Sequence, residues 1–271
     1  MQDEVLKNIA SDIRKVLPPD AILPSESICM PTVGESAMLD PRHTAHVDGF
    51  LYDDELVDEL CDAGKMSRNY CTDCGSHRTK PISFISHSAS RGRLLYIFTA
   101  LLGPLNEKTI LDVGSRLGAI LYGAYLYSTA SKIFGIELNK DLCDLQKGIV
   151  QKYGFQDRIQ VLERNLVDSS ELVQLADVVI LNNVFEFFMP HEAQVHMWRF
   201  LRNTIKSGTL LVTIPPLEES LQHMKARFAM NLDTGINLEE WVRESPPFNA
   251  DAPGIENLQS EIDEVKLYVV L

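Results

Sequence analysis

From Thr109 to Asn139 the chain reads TILDVGSRLGAILYGAYLYSTASKIFGIELN, and its chemistry lies in two glycines and two carboxylates. A short apolar run, Ile110-Leu111, ends in Asp112 and turns through Val113-Gly114-Ser115-Arg116-Leu117-Gly118 into a helix-length apolar segment. A second short run, Lys132 to Ile136, closes on Glu137. Gly114 can take backbone angles closed to residues with a Cβ, and it leaves room for a ligand against the main chain. Gly118 lets the start of the helix lie close to a sheet. Glu137 stands 23 positions after Gly114, where a carboxylate can accept both hydroxyls of a ribose. The pattern suits a nucleotide-type cofactor. It is neither G-x-G-x-x-G nor G-x-x-x-x-G-K-[ST], so the dinucleotide fingerprint and the P-loop are both unmet.

Two other groups of residues could do chemistry. The near-continuous apolar run Ala176 to Leu181 ends in Asn182-Asn183-Val184-Phe185. Carboxamides at the carboxyl end of a central strand can accept from a substrate amine or donate to a ligand. The second group is Cys71-Thr72-Asp73-Cys74-Gly75, the shape of a zinc knuckle, with both sulfurs on one side of a tight turn. Zinc wants four ligands in a tetrahedron. The expected set is Cys71, Cys74, His43 and His46, with Cys61, His77 and His87 in reserve. Reduced cysteines packed under a loop, or a redox pair, are the alternatives. Five cysteines, an odd number, do not read as a disulfide framework.

The first of these motifs resembles that of the class I, S-adenosylmethionine-dependent methyltransferases, whose turn reads acidic-x-Gly-x-Gly-x-Gly and whose second strand ends in an acidic residue. Asp112, Gly114 and Gly118 match, and Glu137 stands for the ribose-binding carboxylate. The likeness runs from about Leu94 to Pro216. It implies a doubly wound, mostly parallel Rossmann-like sheet, S-adenosyl-L-methionine as cofactor, and a cofactor set of Asp112, Gly114, Ser115, Gly118, Glu137, Leu138, Asn165, Leu166 and Asn182. Asn165 takes the place of the residue that meets the adenine amino group, with Asn standing for the usual Asp. Arg116 stands where the family has its middle glycine. Either it points outward and leaves the backbone path intact, or it obstructs the cofactor and the chain is a silent member. A shorter likeness joins Gly114-Ser115 and Asn182, Asn183 and Phe185 to the non-SET histone-lysine methyltransferases, where an Asn-Asn-Phe segment lines the channel for the target amine. It implies Asn182, Asn183 and Phe185 as substrate-facing residues and a protein side chain as acceptor, with a small molecule as the alternative. A partner-scaffolding subunit that binds cofactor without catalysis is the reading from another class. His87, in the segment before the first core helix, could cover the methionine part of the cofactor or serve as a base.

Short apolar runs alternate with helical patterns along the chain, and that alternation predicts the parallel sheet. Helices are expected over 91–102, over 140–153 with Gly154 as its stop, over 191–206 and over 217–232. Strands are expected over 158–162, 176–181 and 209–214, with one closing strand over 265–271 where the family places a hairpin. Ser88 or Ser90 is expected to cap the helix at Arg91. The acidic stretch 48–62 reads as a solvated face. The expected organisation is an α-rich N-terminal extension, residues 1–90, and a methyltransferase domain, residues 91–271.

The chain has 271 residues, 45% of them hydrophobic, enough for a sizeable core. A net charge of −13 argues against a protein held mainly by phosphate contacts, so nucleic acid is not the expected partner. No stretch approaches 18 uncharged apolar residues, and none is expected to span a membrane. The charged amphipathic start, MQDEVLKNIASDIRKVL, lacks the apolar core of a secretory signal, so a cytoplasmic or nuclear place is expected.

Overall fold

The computed structural model describes residues 1–29, 38–73, 75–226 and 234–271. Helix α1, Gln2–Arg14, is amphipathic and buries Leu6, Ile9, Ala10 and Ile13. Strand β1, Thr44–His46, pairs in parallel with β4, Ser83–Ile85. Between them lie α2, Asp54–Asp62, and a small antiparallel hairpin of β2, Asn69–Cys71, and β3, Thr79–Pro81. The expected solvated face holds for α2, which Asp53 caps by accepting from the Leu56 amide at 3.0 Å. It fails at Asp48, which is 3% exposed and faces inward.

Helix α3, Arg91–Tyr96, continues into a wider π-type turn, Ile97–Leu101, so the predicted helix is present but changes pitch. Of the two candidate caps, Ser90 accepts from the Arg93 amide at 3.1 Å, whereas Ser88 donates its hydroxyl to Asp48 at 2.6 Å.

The sheet has seven strands. In chain order these are β5 Thr109–Val113, β6 Lys132–Glu137, β7 Ile159–Glu163, β8 Val178–Asn182, β9 Leu210–Ile214, β10 Val242–Glu244 and β11 Lys266–Val270. Their spatial order is β7-β6-β5-β8-β9-β11-β10. The first five strands are parallel, and β11 and β10 close the edge antiparallel. The connecting helices are α4 Ala119–Tyr127, α5 Lys140–Tyr153, α6 Ser170–Leu175, α7 His191–Thr204 and α8 Leu217–Ala226, followed by the short α9 Leu238–Trp241 and α10 Gln259–Ile262. This is a doubly wound, mostly parallel Rossmann-like sheet closed by an antiparallel hairpin. The hairpin corrects the sequence expectation of a single terminal strand. β10 has three residues, Val-Arg-Glu, too few and too charged to give a period-two signal. The last residues of the predicted 217–232 helix lie outside the described residues.

β5 and β8 are buried at every position, as strands covered on both faces must be. Alternate residues serve opposite layers. Ile110, Ile133, Ile180 and Val212 face one core with α3 and α4, and Leu111, Ile136, Val179 and Leu211 face another with α7. The first core also takes in Leu6, Ile9 and Ile13 of α1 and Phe50-Leu51. At about 1.5–3 kcal/mol for each fully buried aliphatic or aromatic side chain, α1 and the Phe50-Leu51 segment are bound to the sheet by its own core.

The chain leaves β5 toward β6 and β7, then returns to place β8 on the other side of β5. Ligands of open α/β sheets bind beyond the carboxyl ends of the strands at such a reversal.

Candidate functional site

At that reversal the bend after β5 wraps around the end of β6. The amides of Gly114 and Ser115 both donate to the Ile136 carbonyl, at 2.8 and 3.1 Å. Gly114 has φ +69° and Gly118 φ +83°. A Cβ on Gly114 would lie 2.5 Å from Val184 Cγ2, and one on Gly118 2.6 Å from Tyr122 Oη. Both positions therefore need glycine for angle and for space.

The bend also fixes Glu137. The Arg116 amide donates to Oε2 at 3.0 Å and the Asn139 amide to Oε1 at 2.8 Å. Burial pushes the Glu137 carboxyl above its ordinary value, and the amide bonds from Asn139, Arg116 and Leu138 pull the other way. Asp112 lies beneath, 2% exposed. Burial, with the Glu137 charge second, raises its carboxyl well above the usual carboxylate range.

A cavity of about 490 Å³ opens above these residues. Val113 and Gly114 form its base, and Ile136, Glu137 and Leu138 one side. Asn165 and Leu166 follow, and Asn182, Asn183, Val184, Phe185 and Phe188 form the far end. The structure thus brings Gly114, Glu137, Leu138, Asn165, Leu166, Asn182, Asn183 and Phe185 to one cavity. Asp112, Ser115 and Gly118 stand behind its wall: Ser115 Oγ donates to Gln146 Oε1 at 2.8 Å, and Gly118 caps α4.

Local structure aims each lining group. Asn165 Oδ1 accepts from the Val167 amide at 3.3 Å, which turns the chain after β7. Asn182 Nδ2 donates to the His87 carbonyl at 3.2 Å, while its buried Oδ1 has no partner among the described residues. Asn183 adopts φ +48°, an angle that Asn tolerates better than most residues. Phe185 is 1% exposed and meets Trp198 edge-on at 5.2 Å, so it belongs to the core as well as to the cavity. His87 lines the far end, with Nε2 3.0 Å from His46 Nδ1 and its ring against Phe187 and Phe188. Burial first, then the Arg116 charge and His46, pushes His87 down to about 3, so it is neutral near pH 7.

Arg116 also lines the cavity, and its guanidinium turns to the N-terminal segment. Its Nε donates to Glu26 Oε1 at 2.9 Å, Nη1 to Asp48 Oδ2 at 2.9 Å and Nη2 to the Ala21 carbonyl at 2.6 Å. The guanidinium is thus committed to Glu26, Asp48 and Ala21. Ser25, Glu26 and Ser27 complete the cavity wall. Sequence reasoning missed all three and Asp48. The one signal was Arg116 itself, a cation in a glycine turn that needed a partner from somewhere.

The expected zinc set is described only in part. His43 stacks on Tyr70 with ring centroids 3.5 Å apart and contacts Asp40 at 3.1 Å, whereas His46 turns to His87. Cys71 is exposed, and Cys74 lies outside the described residues. Among the described residues no group of three or more His, Cys, Asp or Glu could hold a metal, and no helix is long and apolar enough to cross a membrane.

No protein-family model matches the chain, and no curated protein matches it. Among solved structures it is similar to an RNA methyltransferase from Salinibacter ruber in complex with S-adenosyl-L-homocysteine, at 21% identity over 45% of this chain and 71% of that one, TM-score 0.35. It is similar to the mitomycin 7-O-methyltransferase MmcR at 15% identity over 45% of this chain and 34% of that one, TM-score 0.38. It is also similar to precorrin 8w decarboxylase from Methanobacterium thermoautotrophicum, at 13% identity over 68% of this chain and 91% of that one, TM-score 0.41. The chain thus spans about a third of the length of MmcR.

Proposed function

We propose that this chain is an S-adenosylmethionine-dependent methyltransferase whose acceptor is a protein side-chain amine. One observation carries the cofactor reading: the glycine bend, the fixed Glu137 carboxylate and the Asn182-Asn183 pair converge on one cavity from three different strand ends. The residues fit the group. Gly114 leaves the main chain bare, both Glu137 oxygens are oriented by amides, and Leu138, 57% exposed, offers an apolar face beside Asn165 and Leu166. Glu137 would accept the ribose hydroxyls, Asn165 and the Leu166 amide would meet the adenine, and Gly114 would pass the chain that carries the sulfur.

When bound, the cofactor supplies a methyl group already activated on a sulfonium. The protein's share is alignment and exclusion of water. Asn182 Oδ1, buried without a partner among the described residues, is the natural acceptor for an incoming N–H. Phe188 and Met189 narrow the approach, and neutral His87 adds no charge to repel an amine. An amine entering deprotonated would take the methyl as the sulfur–methyl bond breaks to leave S-adenosylhomocysteine, and its excess proton would leave to solvent.

Isothermal titration with S-adenosylmethionine tests the shared premise, and absence of binding at millimolar concentration ends it. Transfer of radiolabelled methyl in a cell extract tests the acceptor. Label in protein supports the reading. Label in metabolites or nucleic acid replaces the acceptor class, and binding without transfer replaces the enzyme with a silent subunit.

A further inference from the structure

Residues 21–29 cross the cavity and are tied down on both sides of it. At the bend, the Ala21 carbonyl and Glu26 take the Arg116 guanidinium. Beside it, Asn139 Nδ2 donates to Ser25 Oγ at 3.0 Å. At the far end, the Cys29 amide donates to the Phe187 carbonyl at 2.9 Å. Glu26 also folds its own segment, since Oε2 accepts from the Leu23 amide at 2.8 Å. Between these ties Ser25, Glu26 and Ser27 face the cavity.

We propose that residues 21–29 are a retaining strap over the ligand site, and that Arg116 is the positioning residue that holds it there. The inference rests on the cofactor reading of the cavity. Arg116 sits at φ +44°, a backbone angle at which a glycine would be the easier choice. Its side chain is 7% exposed and its partners Glu26 and Asp48 are 5% and 1% exposed. Removing Arg116 leaves two buried carboxylates uncompensated, so docking of the strap depends steeply on it. The ties at Ser25 and Cys29 are neutral hydrogen bonds and the weaker of the two kinds. The strap therefore opens from its Cys29 end and pivots at Arg116, and a ligand lying along the cavity leaves after that opening.

The test is hydrogen exchange on the full chain, with and without S-adenosylhomocysteine, together with the dissociation rate of that ligand. In Arg116→Gly, which eases the backbone and removes the tie, the amides of Leu23, Glu26 and Cys29 are expected to exchange at least about tenfold faster. The amides of β5 and β8 stay protected, and the ligand leaves at least about tenfold faster. Glu26→Gln moves both readings the same way and carries the test if loss of β5 and β8 protection shows that Arg116→Gly has unfolded. Strap exchange unchanged over an intact sheet overturns the role of Arg116. Faster strap exchange with an unchanged dissociation rate overturns retention. If the unaltered chain binds no S-adenosylhomocysteine, the cofactor reading falls and retention with it, while the exchange data still decide whether Arg116 holds the segment.

Discussion

Arg116 Nη1 lies 2.9 Å from Asp48 Oδ2, although the two residues are 68 positions apart. Both are buried, at 6% and 3% exposure. Asp48 is satisfied on every side: Oδ1 accepts from the Phe50 and Leu51 amides at 3.0 and 3.1 Å, and Oδ2 takes the Ser88 hydroxyl as well as Arg116. The pair joins the N-terminal extension to the bend that defines the cavity.

Loss of Asp48 should therefore cost far more than loss of a surface carboxylate. Asp48→Ala takes one of the two buried carboxylates from Arg116, leaving Glu26, and strips the Phe50 and Leu51 amides of their acceptor, so it is expected to lower unfolding free energy by about 3 kcal/mol. Asp53→Ala, which removes the cap of α2, should cost about 1 kcal/mol. Urea unfolding of both variants decides the matter, and equal midpoints would show that the buried pair contributes no more than an ordinary cap.

Glu137 should matter for ligand binding more than for folding. Glu137→Gln removes the charge that would strengthen hydrogen bonds from ribose hydroxyls, and charge-assisted bonds contribute about 1.5–3 kcal/mol. Titration should show S-adenosylmethionine bound roughly 10- to 150-fold more weakly. Glu163, its cross-strand neighbour on β7, is exposed and outside the cavity, so Glu163→Gln should leave affinity unchanged.

The sheet and the glycine-bend side of the cavity were legible because both are local. β5, β8 and β9 are apolar runs, Gly114 and Gly118 mark the bend, and Glu137 lies one helix and one strand downstream. Three things were hidden. β10 is too short and polar to show a period. Asp48 stands in an acidic stretch, and nothing in its neighbours tells that it alone turns inward. Ser25, Glu26 and Ser27 reach the cavity through contacts about ninety residues distant in sequence, as the Arg116–Glu26 bond shows. Propensity and spacing report neighbours along the chain, and a wall built from a remote segment leaves no mark in either.

Gly114 should tolerate no side chain. Gly114→Ala places a Cβ at φ +69°, 2.5 Å from Val184 Cγ2. The left-handed angle costs about 1–2 kcal/mol, and the contact forces the Asn183–Phe185 segment away from the bend. Ligand binding should fall with stability. Adding Val184→Ala should restore part of both by relieving the contact, while the backbone cost stays. A double-mutant cycle read by thermal melting and by titration measures that coupling, and strict additivity would mean that Val184 does not press on the bend.

Asp112 should make the fold less stable as pH rises. Its folded pKa is raised by burial and by the Glu137 charge, while the unfolded chain ionises near the ordinary value of 3.8. Above that value the unfolded state has released a proton that the native state still holds. The contribution of Asp112 is thus full below pH 3.8 and is lost as pH climbs toward the folded value, with a slope of about 1.4 kcal/mol per pH unit. Asp112→Asn keeps the shape and cannot ionise, so its urea midpoint should change less than that of the unaltered chain as pH rises above 3.8. Parallel curves for the two proteins would mean that Asp112 is already ionised in the native state, and that something beneath the bend compensates its charge.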